Sequence, residues 1–382
     1  MSAPRGRILQ VFPYHLAEET GGASGVRTVI ESTIALADEW EHVVLVPGPS
    51  PFSASFEQLG AEVRSLGRRE HLIVRRGSSV PALLHHAARL LVDVPRIGKM
   101  IVRDRIDIVH SHSSAYLGAV LAARLTGRPA VVHIHERLDA VQPNHAHLYR
   151  RLVALLASRV IVIAEFMRAE WADCGARVVY VPNTARCGER PHATRGEPVI
   201  GFVGRVAPRK GIEYLLRAFA LVRVRLPEAR LVVVGGPAEP EDYPYLESLR
   251  SEVRALGLEE SVVFAGPTGD VPAAMDGFRV LGFASPVDIA PITILEAMAD
   301  GLPVVSASDG GAEEMVVDGE TGFAVAPRDT AALADGLERV LEDGDLRLRL
   351  GAAARRRFDA VYGPARYAES IQAVYADLVR KR

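Results

Sequence analysis

A chain of 382 residues with a net charge of -2, 48% apolar and 24% charged, is long enough for two domains and has no bulk charge to attract nucleic acid. Its two cysteines, Cys174 and Cys187, form no CxxC pair and have no zinc-type spacing to histidine, which points to a reducing compartment and no structural metal. The start lacks the apolar core and small-residue cleavage site of a signal peptide, and no apolar run nears the roughly 20 residues of a membrane span, so a cytoplasmic location is expected.

The first half alternates short β-branched runs with helical stretches. RILQVF (7–12), HVVLVP (42–47), DIVHSH (107–112), AVVHIHE (130–136), RVIVIAE (159–165) and VVYVPN (178–183) are continuous apolar runs, as parallel strands buried on both faces require. Residues 1–184 are expected to form one Rossmann-like α/β domain. After its first strand, Gly21 and Gly22 stand in a loop where the lack of a Cβ lets backbone close on a ligand, although neither a GxGxxG nor a P-loop spacing is present. Residues 64–105 carry ten basic and three acidic side chains. Leu83, Ala87, Leu90, Val94, Ile97 and Ile101 recur there at three and four. This predicts an amphipathic helix kinked by Pro95, either a weak contact for anionic lipid or a core-facing helix with a solvated basic side. His135 ends the HIHE strand and is expected to point into a cleft, with His133 on the other face of the sheet and Glu136 as an alternative for the same role.

Residues 185–198 lose periodicity and gather Gly, Pro and charge, as a linker does. The alternation then restarts with VIGFVGR (199–205), RLVVVGG (230–236), SVVFAG (261–266), FRVLGFAS (278–285), LPVVSAS (302–308) and TGFAVAP (321–327), giving a second Rossmann-like domain over 199–361. A last amphipathic helix within 362–382 is expected to lie across the domain junction and cross back to the N-terminal domain. Two such sheets present crevices outside the carboxyl ends of their strands, and facing crevices make a small-molecule cleft.

In the loop GRVAPRKG, Lys210 is one of only three lysines among 45 basic residues. Lys210 and Arg205 offer a compact ammonium and a planar fork, a pair suited to a diphosphate. In ASPVDIAPITILEAMADG, Pro291 opens a helix whose first amides, at Ile292 and Thr293, face an anion, while Asp288 and Glu296 bracket that position. Glu296, one turn on, is placed to accept both hydroxyls of a ribose.

Taken together, TGG, HIHE, VPN, GFVGRVAPRKG and DIAPITILEAMADGLPVV resemble the family 4 glycosyltransferases over nearly the whole chain. The resemblance implies the GT-B fold of two Rossmann-like domains. It implies a retaining transferase that needs no metal, with the nucleotide sugar on the C-terminal domain and a hydroxyl acceptor on the N-terminal domain. By the same resemblance Arg205 and Lys210 hold the diphosphate, Gly22 closes over it, Glu296 binds ribose and His135 lies near the transferred sugar. Asp288 stands where the family has glutamate and Pro291 where it has glycine, two departures that bear on donor geometry. A nucleotide-sugar epimerase and an inactive nucleotide-sugar binder are the alternatives, separated by product analysis and by nucleotide release.

Overall fold

The computed structural model describes residues 4–12, 25–48, 52–67, 80–114, 116–136, 146–186 and 197–380. The described residues divide into two compact units, one taking 4–12, 25–182 and 365–380, the other 183–364. The predicted linker, 185–198, falls mostly outside the described residues.

In the first unit the strands are β1 (Arg7–Val11), β2 (Glu41–Val46), β3 (Glu62–Ser65), β4 (Ile108–Ser111), β5 (Ala130–Ile134), β6 (Arg159–Val162) and β7 (Val178–Tyr180). They form one parallel sheet in the order β3-β2-β1-β4-β5-β6-β7. Its helices are α1 (Gly25–Leu36), α2 (Ser53–Gln58), α3 (Val80–Arg103), α4 (Gly118–Leu125), α5 (Ala146–Leu156) and α6 (Phe166–Glu170). Ile8, Leu9, Val43, Val44, Ile108, Val109, Val131 and Val132 are all buried, as a sheet covered on both faces demands. Phe12, Ile30, Ile34, Val44 and Phe56 make a core beneath α1 and α2, with Phe12 and Phe56 edge to face at 6.3 Å.

The predicted basic helix is α3, with Pro95 inside it. Of the described part of its apolar stripe, Val94, Ile97 and Ile101 are buried and Leu90 is half-buried, and α3 packs on α4, so from Val94 onward this stripe is a core face. Part of the basic charge is also engaged, since Arg64 and Arg103 both pair with Asp104. Among the described residues no helix is long and apolar enough to cross a membrane.

The second unit has β8 (Val199–Val203), β9 (Arg230–Val234), β10 (Val262–Gly266), β11 (Val280–Phe283), β12 (Val287–Asp288), β13 (Val304–Ala307), β14 (Asp309–Gly310) and β15 (Gly322–Val325). Six of these form a parallel sheet, β10-β9-β8-β11-β13-β15, and β12 pairs with β14 in a small separate ladder. The helices are α7 (Ile212–Arg225), α8 (Tyr243–Ala255), α9 (Val271–Met275), α10 (Ile292–Asp300), α11 (Gly311–Met315), α12 (Thr330–Glu342) and α13 (Gly344–Arg357). Phe202, Leu215, Leu216, Phe219, Leu231, Val233, Leu333, Leu337 and Leu350 fill its core.

The last helix, α14 (Pro364–Arg380), packs on the first unit. Tyr367 Oη and Thr33 Oγ1 of α1 are hydrogen-bonded at 2.6 Å, Gln372 Nε2 donates to Leu36 O at 3.3 Å, and Asp377 pairs with Arg159 of β6. Tyr375 is fully buried, edge-on to Trp40 at 5.6 Å. The crossing back to the N-terminal unit is therefore made by a buried, specifically paired helix face.

Candidate active site

In the second unit the strand order reverses between β8 and β11, and ligands in open α/β sheets bind outside the carboxyl ends at such a reversal. The loops leaving those two ends are 204–211 and 284–291, which are the loops that carry Arg205, Lys210 and Asp288. They are pinned together. Gly211 adopts φ 63° between the 3-10 turn Pro208–Lys210 and α7, and a Cβ there would run into the Ala284 carbonyl oxygen. Ser285 Oγ donates to Arg209 O at 2.9 Å across the same seam.

Lys210 Nζ lies 2.6 Å from Asp288 Oδ2, both side chains largely buried, with the Phe283 ring 5.8 Å from the ammonium. Burial pulls the Lys210 pKa below its ordinary value, and the Asp288 carboxylate opposes that fall. Arg205 is held by one edge, its Nε donating to Asp242 Oδ2 at 2.7 Å. Asp242 is itself buried and accepts from the Ala238 and Glu239 amides at 3.3 Å.

Helix α10 begins at Ile292, with Pro291 in extended backbone at the N-cap, and ends at Gly301 with φ 70°. Pro291 thus sits one place ahead of the helix proper, where a missing N–H removes only the cap's own donor. The Ile292 and Thr293 amides have no carbonyl one turn back and carry the positive end of the helix dipole. Glu296 lies one turn along, half-buried, its carboxyl pushed up to about 8 by burial and then by Asp300, with Arg186 opposing. With its pKa raised this far, its two oxygens become a pair of charged acceptors for ribose hydroxyls only on the alkaline side of neutrality.

Three further groups lie around these loops that the sequence did not single out as site residues, the first of them within the VPN motif. Asn183, at the end of VPN, is buried, with Nδ2 3.5 Å from Ala290 O and Oδ1 finding no partner among the described residues. Gly310 ends β14 and Gly311 follows it, and a Cβ on Gly311 would strike Ile289 O, so its absence lets β12 and β14 meet. Asp242 orients Arg205, and its only signal was the acidic stretch EPED.

Gly21 and Gly22 lie outside the described residues. In the first unit, His135 follows β5 directly, and its ring stacks with that of His112 at 5.7 Å. The expectation that His133 faces the other side of the sheet is wrong. Residues two apart on a strand return to the same face, and the His133 and His135 rings are 4.3 Å apart. Burial lowers the pKa of His110 and of His135 to about 3 and holds His112 and His133 well below the usual imidazole range, so all four are neutral at pH 7. Glu136 has a structural occupation: its Oε1 accepts from Ser113 Oγ at 2.9 Å and from Ser114 N and Oγ at 2.8 Å, fixing the loop after β4.

Residues 189–357 match the model for glycosyl transferases group 1 and residues 21–184 the model for a glycosyl transferase 4-like domain. The GDP-mannose-dependent alpha-(1-6)-phosphatidylinositol monomannoside mannosyltransferase of Mycolicibacterium smegmatis is 38% identical over 72% of this chain and 78% of its own. Its counterpart in Mycobacterium tuberculosis is 32% identical over 69% and 74%. Among solved structures, Anabaena HepE in complex with UDP-glucose superposes with a TM-score of 0.80 at 20% identity, covering 98% of this chain and all of that one. Sucrose-phosphate synthase of Thermosynechococcus elongatus does so at 0.76 and 19%, over 99% and 100%, which shows the shared fold. The two parallel sheets, the paired loops at the reversal of the second and both family matches lead to one conclusion: the chain belongs to the family 4 glycosyltransferases of GT-B fold and transfers sugar from a nucleotide sugar.

Proposed function

We propose that the chain moves mannose from GDP-mannose to an acceptor hydroxyl, with retention at the anomeric carbon and without a metal ion. The observation that carries this reading is the meeting of Lys210, Asp288 and the first turn of α10 on the two loops at the β8/β11 reversal. Two relatives above 30% identity with GDP-mannose in their names support the choice of donor.

The chemistry follows from the charges. Breaking the bond from anomeric carbon to phosphate oxygen leaves a diphosphate, and Lys210, Arg205 and the Ile292 and Thr293 amides supply the fixed positive field that stabilises it. The diphosphate replaces the Asp288 carboxylate at Lys210, and Asp288 is then released to accept from a sugar hydroxyl. The acceptor oxygen bonds to the same face of the sugar, and its proton passes to the departing phosphate oxygen. No pair of carboxylates of glycosidase type is needed. His135, neutral, is assigned to the transferred sugar.

The test is a transfer assay in excess chelator with GDP-mannose and a phosphatidylinositol mannoside, reading the product anomer by NMR. An α-linked product formed with chelator present supports every part of the proposal. An inverted product, a requirement for added metal, or transfer from UDP-glucose alone would each remove the corresponding part. Epimerised donor without transfer would establish the epimerase alternative, and binding without nucleotide release the inactive one.

We also propose a weak contact with anionic lipid through the outer side of α3, where Leu91, Val92 and Val102 are exposed beside Arg96 and Lys99. Failure to sediment with anionic vesicles at low salt would exclude it.

A further inference from the structure

The exposed apolar side chains of the first unit are gathered on one side of its sheet. The strands run β3-β2-β1-β4-β5-β6-β7, all parallel. Right-handed crossovers from β3 to β4, β4 to β5 and β5 to β6 step the same way along that order, so α3, α4 and α5 cover one face. The crossovers through α1 and α2 step back and cover the other, where α14 pairs with Thr33 and Leu36 of α1. α3 packs on α4 and α4 on α5, so their outer sides make one continuous surface.

Among the described residues, every large apolar side chain that the first unit exposes, apart from Val379, stands on this surface. Leu91, Val92 and Val102 of α3 are joined by Leu125 of α4 and by a stripe on α5. Leu148, Leu152 and Leu155 stand there at i, i+4 and i+7, with Leu148 68% and Leu155 67% exposed. Single exposed leucines are ordinary, whereas a contiguous apolar stripe on solvent marks a contact surface.

The charge of the same surface is one-sided. The three helices hold one acidic residue between them, Asp93, and it is buried. Arg96, Lys99, Arg124 and Arg151 are exposed. Arg151 lies three residues after Leu148 and four before Leu155, within the stripe itself, and the exposed Arg177 donates to Ala154 O at its side. Apolar side chains set among cations suit the boundary between acyl chains and anionic headgroups, where an arginine stem lies along the apolar layer and its guanidinium reaches a phosphate. A second copy of the chain fits poorly, because docking this face on itself sets cation against cation.

We propose that α3, α4 and α5 form one platform that lies on an anionic lipid surface, with the α5 leucines as its apolar anchor. The platform rests on the lipid contact proposed for α3 and extends it across two further helices. Tyr149, in the first turn of α5, donates to Ser114 O, on the loop that Glu136 fixes next to His135. The platform therefore holds the carboxyl ends of β4 and β5 close to the headgroup layer, and the acceptor it suits is a hydroxyl on a lipid headgroup.

The test is sedimentation at low salt with vesicles of phosphatidylcholine alone or mixed with phosphatidylglycerol, with near-ultraviolet circular dichroism to confirm that each variant is folded. The wild type should bind only the mixed vesicles. Leu148→Ser with Leu155→Ser should weaken that binding about tenfold or more, and Arg151→Glu about fivefold or more, whereas Leu221→Ser on exposed α7 of the second unit leaves it unchanged. Variants of α5 that sediment like the wild type overturn the proposal; if Arg96→Glu with Lys99→Glu then abolishes sedimentation, the α3 contact stands without it. A wild type that does not sediment removes both contacts. Equal binding to the neutral vesicles also overturns the platform, as does light scattering that shows wild-type dimers and monomeric α5 variants. If the double serine variant does not fold, Arg151→Glu decides.

Discussion

Glu296 shows how position and protonation come from different levels of the protein. Its place eight residues after Asp288 and one turn into α10 is legible in the sequence, but its pKa near 8 arises because the folded unit buries it beside Asp300. A carboxyl whose folded pKa is raised is favoured folded when protonated, so it costs stability progressively as pH rises from about 4 to about 8. The ionised form accepts from both ribose hydroxyls through two charged oxygens and more strongly than the acid does, so GDP affinity by calorimetry should rise as pH goes from 7 to 8 and level off above. Glu296→Gln should bind more weakly at pH 9, lose this dependence, and be the more heat-stable protein there. Lys210 stood out as a rare lysine, yet its pairing with Asp288 was not readable, because it is made by two loops 78 residues apart. Asp288→Asn leaves a buried ammonium without its carboxylate and lets its pKa fall further. The variant should melt lower, and its GDP binding should fail at a lower alkaline pH than in the wild type.

At the level of elements, all twelve apolar runs became strands, since a strand covered on both faces must be apolar throughout. The strands missed were of other kinds. β3, EVRS, is an edge strand with half-exposed side chains, and β12 and β14 are two residues each, made by loops meeting over Gly311 rather than by a pattern. The periodicity of α3 was correctly helical, but periodicity alone does not say whether an apolar stripe meets core or lipid. The seam between the two donor loops depends on Gly211. Gly211→Ala combines a left-handed backbone with a collision, and should cost at least about 1–3 kcal/mol in denaturant unfolding and weaken GDP binding with it. A merely local effect on the loop would leave stability unchanged, and that result would show that the seam yields.

For the whole molecule, a net charge of -2 and the absence of a phosphate-binding glycine fingerprint left the function to a few residues on loops. The reversal of strand order explains why those loops matter, and strand order is a tertiary fact that no single run of sequence contains. All the assigned donor residues that are described lie in the second unit, whereas His135 lies in the first. Binding and transfer should therefore separate: His135→Ala should keep GDP affinity within about twofold while lowering kcat by roughly 10²–10³, the range for loss of one group that acts in the transition state. The most direct test of the central claim is calorimetric titration of GDP, GMP and guanosine into the wild type and Lys210→Ala. The prediction is strong preference for GDP in the wild type, nearly abolished in the variant while its weak GMP and guanosine binding persists. Equal loss for all three ligands, or no loss for GDP, would contradict the assignment of Lys210 to the diphosphate.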